Sequence, residues 1–164
     1  MNPQPANSEF RFEKHRAGAV VTLVTNENVR GCFFTASDSA RRDGAERIGD
    51  LLNSETGFFP FEVRTESGTT TVLYNRIHVI AVRVLDDEAR RDPGYAVAKR
   101  RGVSILLSNS QRVDGEVRVY RPEGRDRVSD WTRQPEVFRY VEARDATYIV
   151  NAVHIVAVTE GSGS

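Results

Sequence analysis

Apolar and polar residues alternate with period two through much of the second half of the chain. Val113, Gly115, Val117 and Val119 fall on one side of such a run; Arg112, Asp114, Glu116, Arg118 and Tyr120 fall on the other. A half-buried strand over 112–120 follows, since successive side chains of a strand point to opposite faces. Just before it, Val103, Ile105 and Leu107 alternate with Ser104, Leu106 and Ser108, and Asn109-Ser110 supplies turn chemistry. The two runs predict an antiparallel hairpin. Gly115 in mid-strand predicts a bulge or bend, and Arg121-Pro122-Glu123-Gly124 breaks the pattern. The period then changes. Val128 and Trp131 stand three apart, as on one helix face, with Asp126 in the first turn and Pro135 as the stop. A short helix over 126–134 is expected, with Trp131 plugging the core. Strands over 137–143, 146–151 and 153–159 complete the set, the first two joined by a tight turn at Arg144-Asp145.

The first half carries the same pattern. Asn75-Arg-Ile-His78-Val-Ile-Ala-Val82 matches Asn151-Ala-Val-His154-Ile-Val-Ala-Val158. Val29-Arg30-Gly31 matches Val113-Asp114-Gly115, and Glu46-Arg47-Ile48-Gly49-Asp50 matches Asp126-Arg127-Val128-Ser129-Asp130. The offset steps from 84 to 80 to 76 residues, so the first copy holds two extra four-residue pieces, in 37–44 and 64–70. Both stretches have loop composition, where a duplicated fold tolerates insertion. Each unit reads strand, strand, short helix, strand, strand, strand. The expected fold is therefore mainly β: two tandem five-stranded, strongly bent antiparallel sheets or small barrels, each with one short helix between strands 2 and 3. The first repeat spans 17–84, a linker 85–97 and the second repeat 98–159, with flexible ends at 1–16 and 160–164. Open strand edges need cover; the second copy can supply it, and pairing can continue into a further molecule.

Charge refines the picture. The whole chain balances, 23 basic against 23 acidic, but 98–158 holds 11 basic and 8 acidic residues while 17–84 holds 7 and 8. That bias is far below the footprint of a dedicated nucleic-acid binder. Lys14 and Lys99 are the only lysines, and the arginines are scattered, which reads as compositional habit. Cys32 is the sole cysteine, so no intrachain disulfide forms, and a buried inert thiol is expected beside Phe33 and Phe34. No secretory segment opens the chain and no apolar run spans a bilayer, so a soluble, cytoplasmic protein is expected. Three histidines without matching Cys or carboxylate spacing predict no metal site, and no cofactor motif is present.

Three groups of residues stand out. Gly57-Phe58-Phe59-Pro60-Phe61 is the densest aromatic run; Phe58, Phe59 and Phe61 are candidates for a partner surface, with part of the run in the core. The second copy reads Val137-Phe138-Arg139-Tyr140-Val141 there, with Arg139 expected in solvent. Arg112, Arg118 and Tyr120, with Lys99, Arg100 and Arg101, are the candidates for nucleic-acid contact, although Asp114 and Glu116 are placed to neutralise the strand arginines. Asn75, His78, Asn151 and His154 bracket a kink in both copies; there Asn tolerates a left-handed backbone and bonds local backbone, and His caps the kink. A non-enzymatic adaptor or scaffold acting through protein contacts is expected, with RNA or single-stranded DNA binding as the alternative.

The hairpin from Val103 to Val117 and the closing strands Tyr148-Ile-Val-Asn-Ala-Val-His154-Ile-Val-Ala-Val158 resemble the Sm-like small barrel, a class of RNA-binding rings. The resemblance covers roughly 60 residues per copy and implies a five-stranded barrel. This chain departs from that family. It has a helix between strands two and three, lacks the Asp-x-x-x-Asn base-binding signature, and has Asn151-Ala152 in place of the closing Arg-Gly. No family site residue carries over.

Overall fold

A computed structural model of the protein describes residues 14–36, 45–120, 124 and 127–161. The first half comprises β1 (Lys14–Leu23), β2 (Asn28–Ala36), α1 (Ile48–Ser54), β3 (Phe58–Thr65), β4 (Gly68–Asn75) and β5 (Val79–Val84). The second half comprises β6 (Lys99–Leu107), β7 (Arg112–Val119), α2 (Val128–Thr132), β8 (Phe138–Ala143), β9 (Thr147–Asn151) and β10 (Ile155–Glu160). Single 3-10 turns at Arg76–His78 and Ala152–His154 form the two kinks, and a third, Glu88–Arg91, lies in the connection between halves.

All ten described strands belong to one antiparallel sheet, in the order β10-β6-β7-β8-β9-β5-β1-β2-β3-β4. The two separate sheets expected from the sequence are thus one, and the sheet is not closed. The reason is β5 lying against β9, which removes one exposed edge from each half. Within this order the halves run alike: β5-β1-β2-β3-β4 and β10-β6-β7-β8-β9.

Alternation explains the strands. In β7, Val113, Val117 and Val119 are buried while Arg112, Asp114 and Glu116 are exposed. Gly115 sits where a Cβ would meet the Glu142 carbonyl oxygen at 2.5 Å, and a Cβ on Gly31 would press into the Glu62 carbonyl. Each glycine lets its strand approach the next at the same place in the two halves. The helices start on a shared device. The backbone N–H of Arg47 donates to Asp50 at 3.1 Å, and that of Arg127 to Asp130 at 3.0 Å. That bond satisfies an orphan donor at each helix start. The acid serving α2 is Asp130; Asp126 lies outside the described residues, as do 1–13, the 37–44 insertion, the break at 121–123 and residues 162–164.

Each helix also ends on a buried arginine. Arg76 donates to Leu51, Leu52, Thr56 and Phe58 carbonyls, at 2.9 to 3.4 Å. Arg139 donates to Trp131, Thr132, Gln134 and Glu136 carbonyls, at 2.6 to 3.2 Å. Arg139, expected in solvent, is therefore buried, because α2 covers its face of the sheet and presents unpaired carbonyls to it. Trp131 is fully buried as expected, under the Arg139 guanidinium at 5.2 Å. Cys32 is half-buried rather than enclosed. β1 begins at Lys14 and β10 includes Glu160, so both strands extend into segments expected to be loose. No helix among the described residues is long and apolar enough to cross a membrane.

Candidate functional site

The two halves meet in the register Ala81–Val150, Val82–Ile149, Arg83–Tyr148 and Val84–Thr147. Side chains cross this joint both ways. Phe138 and Ile149 of the second half are buried in the first core, with Ile48, Leu52, Phe59 and Val82. Ile80 and Ala81 of the first half are buried in the second core, with Val141, Val150 and Trp131. Each core is completed by residues of the other half.

Polar groups fix the same register. Asn151, fully buried, donates from Nδ2 to the carbonyls of Val79 (2.9 Å) and Arg76 (3.3 Å), and its Oδ1 accepts from Val153 N–H (3.0 Å). Its backbone is extended, at φ −83°, so the left-handed conformation expected for Asn75 and Asn151 is absent from both. Among the described residues other than glycine, those in the left-handed region are Asn26 and Ser110, in the β1–β2 and β6–β7 turns. His154 Nε2 lies 2.7 Å from the Ile77 carbonyl, so Nε2 donates; Nδ1 lies 2.8 Å from the Ser108 hydroxyl. Asn151 and His154 thus tie the second half to the first. Asn75 makes the matching turn bond to Ile77 N–H at 3.3 Å, and His78 is exposed.

Above the joint, α1 lies on β8. Gly49 N–H donates to the Tyr140 hydroxyl at 3.0 Å, and a Cβ there would meet the Tyr140 ring at 2.6 Å. The Asn53 side chain donates to the Phe138 carbonyl and accepts its N–H, as a neighbouring strand would. Glu88 is buried and accepts from Ile48 N–H (2.8 Å) and the Tyr140 hydroxyl (2.8 Å). Burial pushes its carboxyl above the ordinary range against the pull of those bonds, and burial with the Glu88 charge pushes the Tyr140 hydroxyl well up. Arg47 stacks over Tyr140 at 4.9 Å and reaches Asp50 and Asp92. A cleft of about 630 Å³ opens beside this cluster, lined in part by Arg47, Arg118, Tyr120 and Glu142. Burial, then Asp92, pushes the Tyr120 hydroxyl up to about 12. Arg47 is matched to Asp50 and Asp92 and Arg118 to Glu142, which holds the connection between halves against the sheet.

The outer strands β4 and β10 differ from their inner counterparts β9 and β5. Leu73 on β4 is 64% exposed, where Ile149 is 0%. Val156 on β10 is 64% exposed, where Ile80 is 1%. Phe58, beside β4, is 60% exposed, where Phe138 is 4%. Ile77 and Val153, on the two kinks, are exposed as well.

The structure separates the candidates of the sequence. Phe59 and Phe61 are core residues, Phe59 stacked on Phe33 and Phe61 edge-on to it, so of the phenylalanines in the aromatic run Phe58 alone is exposed. Arg118 is engaged: it pairs with Glu142 at 2.9 Å, donates to the Tyr95 carbonyl at 2.8 Å and lies 3.5 Å over the Tyr95 ring. Glu116 stands 3.9 Å from Arg100 and Arg112 reaches Ser104, so the expected Asp114 and Glu116 pairing with the strand arginines is not what forms. Lys99 and Arg101 fall on one face of β6 and Arg100 on the other, which splits the basic triplet. The residues that sequence reasoning missed are Leu73, Val156, Glu88 and Tyr140. Leu73 and Val156 align with core positions, and only the sheet order shows that they lie on outer strands. Comparison of the chain with protein families, curated proteins and solved structures finds no match in any of the three.

Proposed function

We propose that the protein is a non-enzymatic protein-interaction scaffold, a duplicated five-stranded unit similar to the Sm-like barrel, that docks protein along its outer strands β4 and β10. One observation carries the reading: Leu73 and Val156 are large apolar side chains left in solvent on strands with no further neighbour among those described, and exposed Phe58 lies beside Leu73's strand on β3. An outer strand offers a row of backbone donors and acceptors, and an added strand gains both that ladder and apolar contact. The nucleic-acid alternative has less support, because Arg118 is engaged with Glu142 and Tyr95 and the basic triplet is divided between two faces. The test is capture from an extract of the native host with wild-type protein, Leu73→Lys and Val156→Lys, each with and without nuclease. A protein set lost in the edge variants and unchanged by nuclease is expected. Capture that survives both substitutions, or that nuclease abolishes, overturns the reading.

A further inference from the structure

We infer that the occupant of each outer strand is a second copy of this chain, joined head to tail: β4 of one copy pairs antiparallel with β10 of the next. The inference rests on the reading of β4 and β10 as docking edges and names their partner. The template is the joint inside the molecule. There a strand of the β4 type, β9, lies against a strand of the β10 type, β5. Among the described strands, β4 and β10 are the members of the same two types left without a second neighbour.

Repeating the joint places Leu73 opposite Val158 and Tyr74 opposite Ala157, as Ile149 lies opposite Val82 and Val150 opposite Ala81. Phe58, Leu73 and Val156, exposed in the single chain, are among the side chains the repeat would bury. Leu73 and Phe58 enter the neighbour's second half, as Ile149 and Phe138 enter the first core. Val156 enters the neighbour's first half, as Ile80 enters the second core. A seat already exists. A cleft of about 630 Å³ lies between α2 and β10, lined by Arg127, Val128, Ser129, Thr132 and Val158 together with Arg101 and Glu160. The first-half counterparts of the first five, Arg47, Ile48, Gly49, Leu52 and Val82, are all buried, and on them sit Phe138, Tyr140 and Ile149. Arg127 and Ser129, by contrast, are exposed. Charge agrees with the polarity: 11 basic against 8 acidic residues over 98–158 would meet 7 against 8 over 17–84. Because the contact is heterologous, it closes into a ring or extends as a filament.

The experiment measures the mass of the full chain by analytical ultracentrifugation. Wild type is expected at a multiple of 18.4 kDa. Leu73→Lys blocks every β4 edge and Val156→Lys every β10 edge, so each alone is expected at one chain. An equal mixture retains one good edge of each kind and is expected to form two-chain species and no larger. Far-ultraviolet circular dichroism of the variants checks that both stay folded, as their exposure predicts. A wild type that remains a single chain at all concentrations overturns the inference, and so does a single variant that still dimerises, which would mean like-with-like pairing. If wild type is a single chain yet an extract protein is still lost in the edge variants, the docking reading stands and only the named partner falls.

Discussion

Asn151 holds the joint with three hydrogen bonds, two of them to carbonyls in the other half. Replacing it with alanine leaves the Val79 and Arg76 carbonyls short of a donor where water is excluded. We expect Asn151→Ala to cost about 1–3 kcal/mol in denaturant unfolding, and Asn75→Ala, at an edge, a smaller amount. Phe59 and Phe58 make a second contrast: Phe59→Ala should cost about 3–5 kcal/mol as a core truncation, whereas Phe58→Ala should stay within about 0.5 kcal/mol in the single chain. Glu88 gives a pH dependence. Its carboxyl is raised above the ordinary 4.5, so the folded state favours the protonated form. The stabilisation is complete below 4.5 and is lost as pH rises through the raised value. Thermal midpoints across that window should fall for wild type and stay level for Glu88→Gln. Alternation in the sequence sufficed to place Val113 and Val117 inside, and the three-residue spacing from Val128 placed Trp131 there. Alternation could not place Arg139, because it gives the side of a strand and not whether a helix end covers that side.

At the scale of elements, the succession of strands along the chain and the kinks were legible because glycine, asparagine and turn residues recur at matching positions in the two halves. Gly31 and Gly115 are the most exacting of them. A methyl group at Gly115 meets the Glu142 carbonyl at 2.5 Å, so Gly115→Ala should force β7 and β8 apart, at a cost of about 1–3 kcal/mol measured by chemical denaturation. The helix starts were legible only in part: the repeated Arg-x-x-Asp marks them, but the acid that bonds the first N–H is Asp130. The arginines that receive the helix ends were not legible, since Arg76 lies on a kink and Arg139 on a strand. Unrelated sequence positions answer the same demand of orphan carbonyls.

For the molecule as a whole, the exchange of Ile80 and Ile149 between cores makes the halves interdependent. Unfolding should be a single event. Trp131, the only tryptophan, reports on the second core, and its fluorescence transition should coincide with that of far-ultraviolet dichroism; separated curves would show the halves melting apart. The joint itself was not legible, because Leu73 and Ile149 look alike in sequence and differ only in what lies beside them. The connection between the halves has its own consequence. From β5 to β6 it passes over four strand spacings, about 19 Å, while residues 85–98 could reach more than twice that far if extended. Its length therefore serves Glu88 and Tyr95, which it delivers to α1 and to Glu142. A molecule nicked by trypsin at exposed Arg90 or Arg91 should consequently elute as one particle, its severed pieces parting only in denaturant.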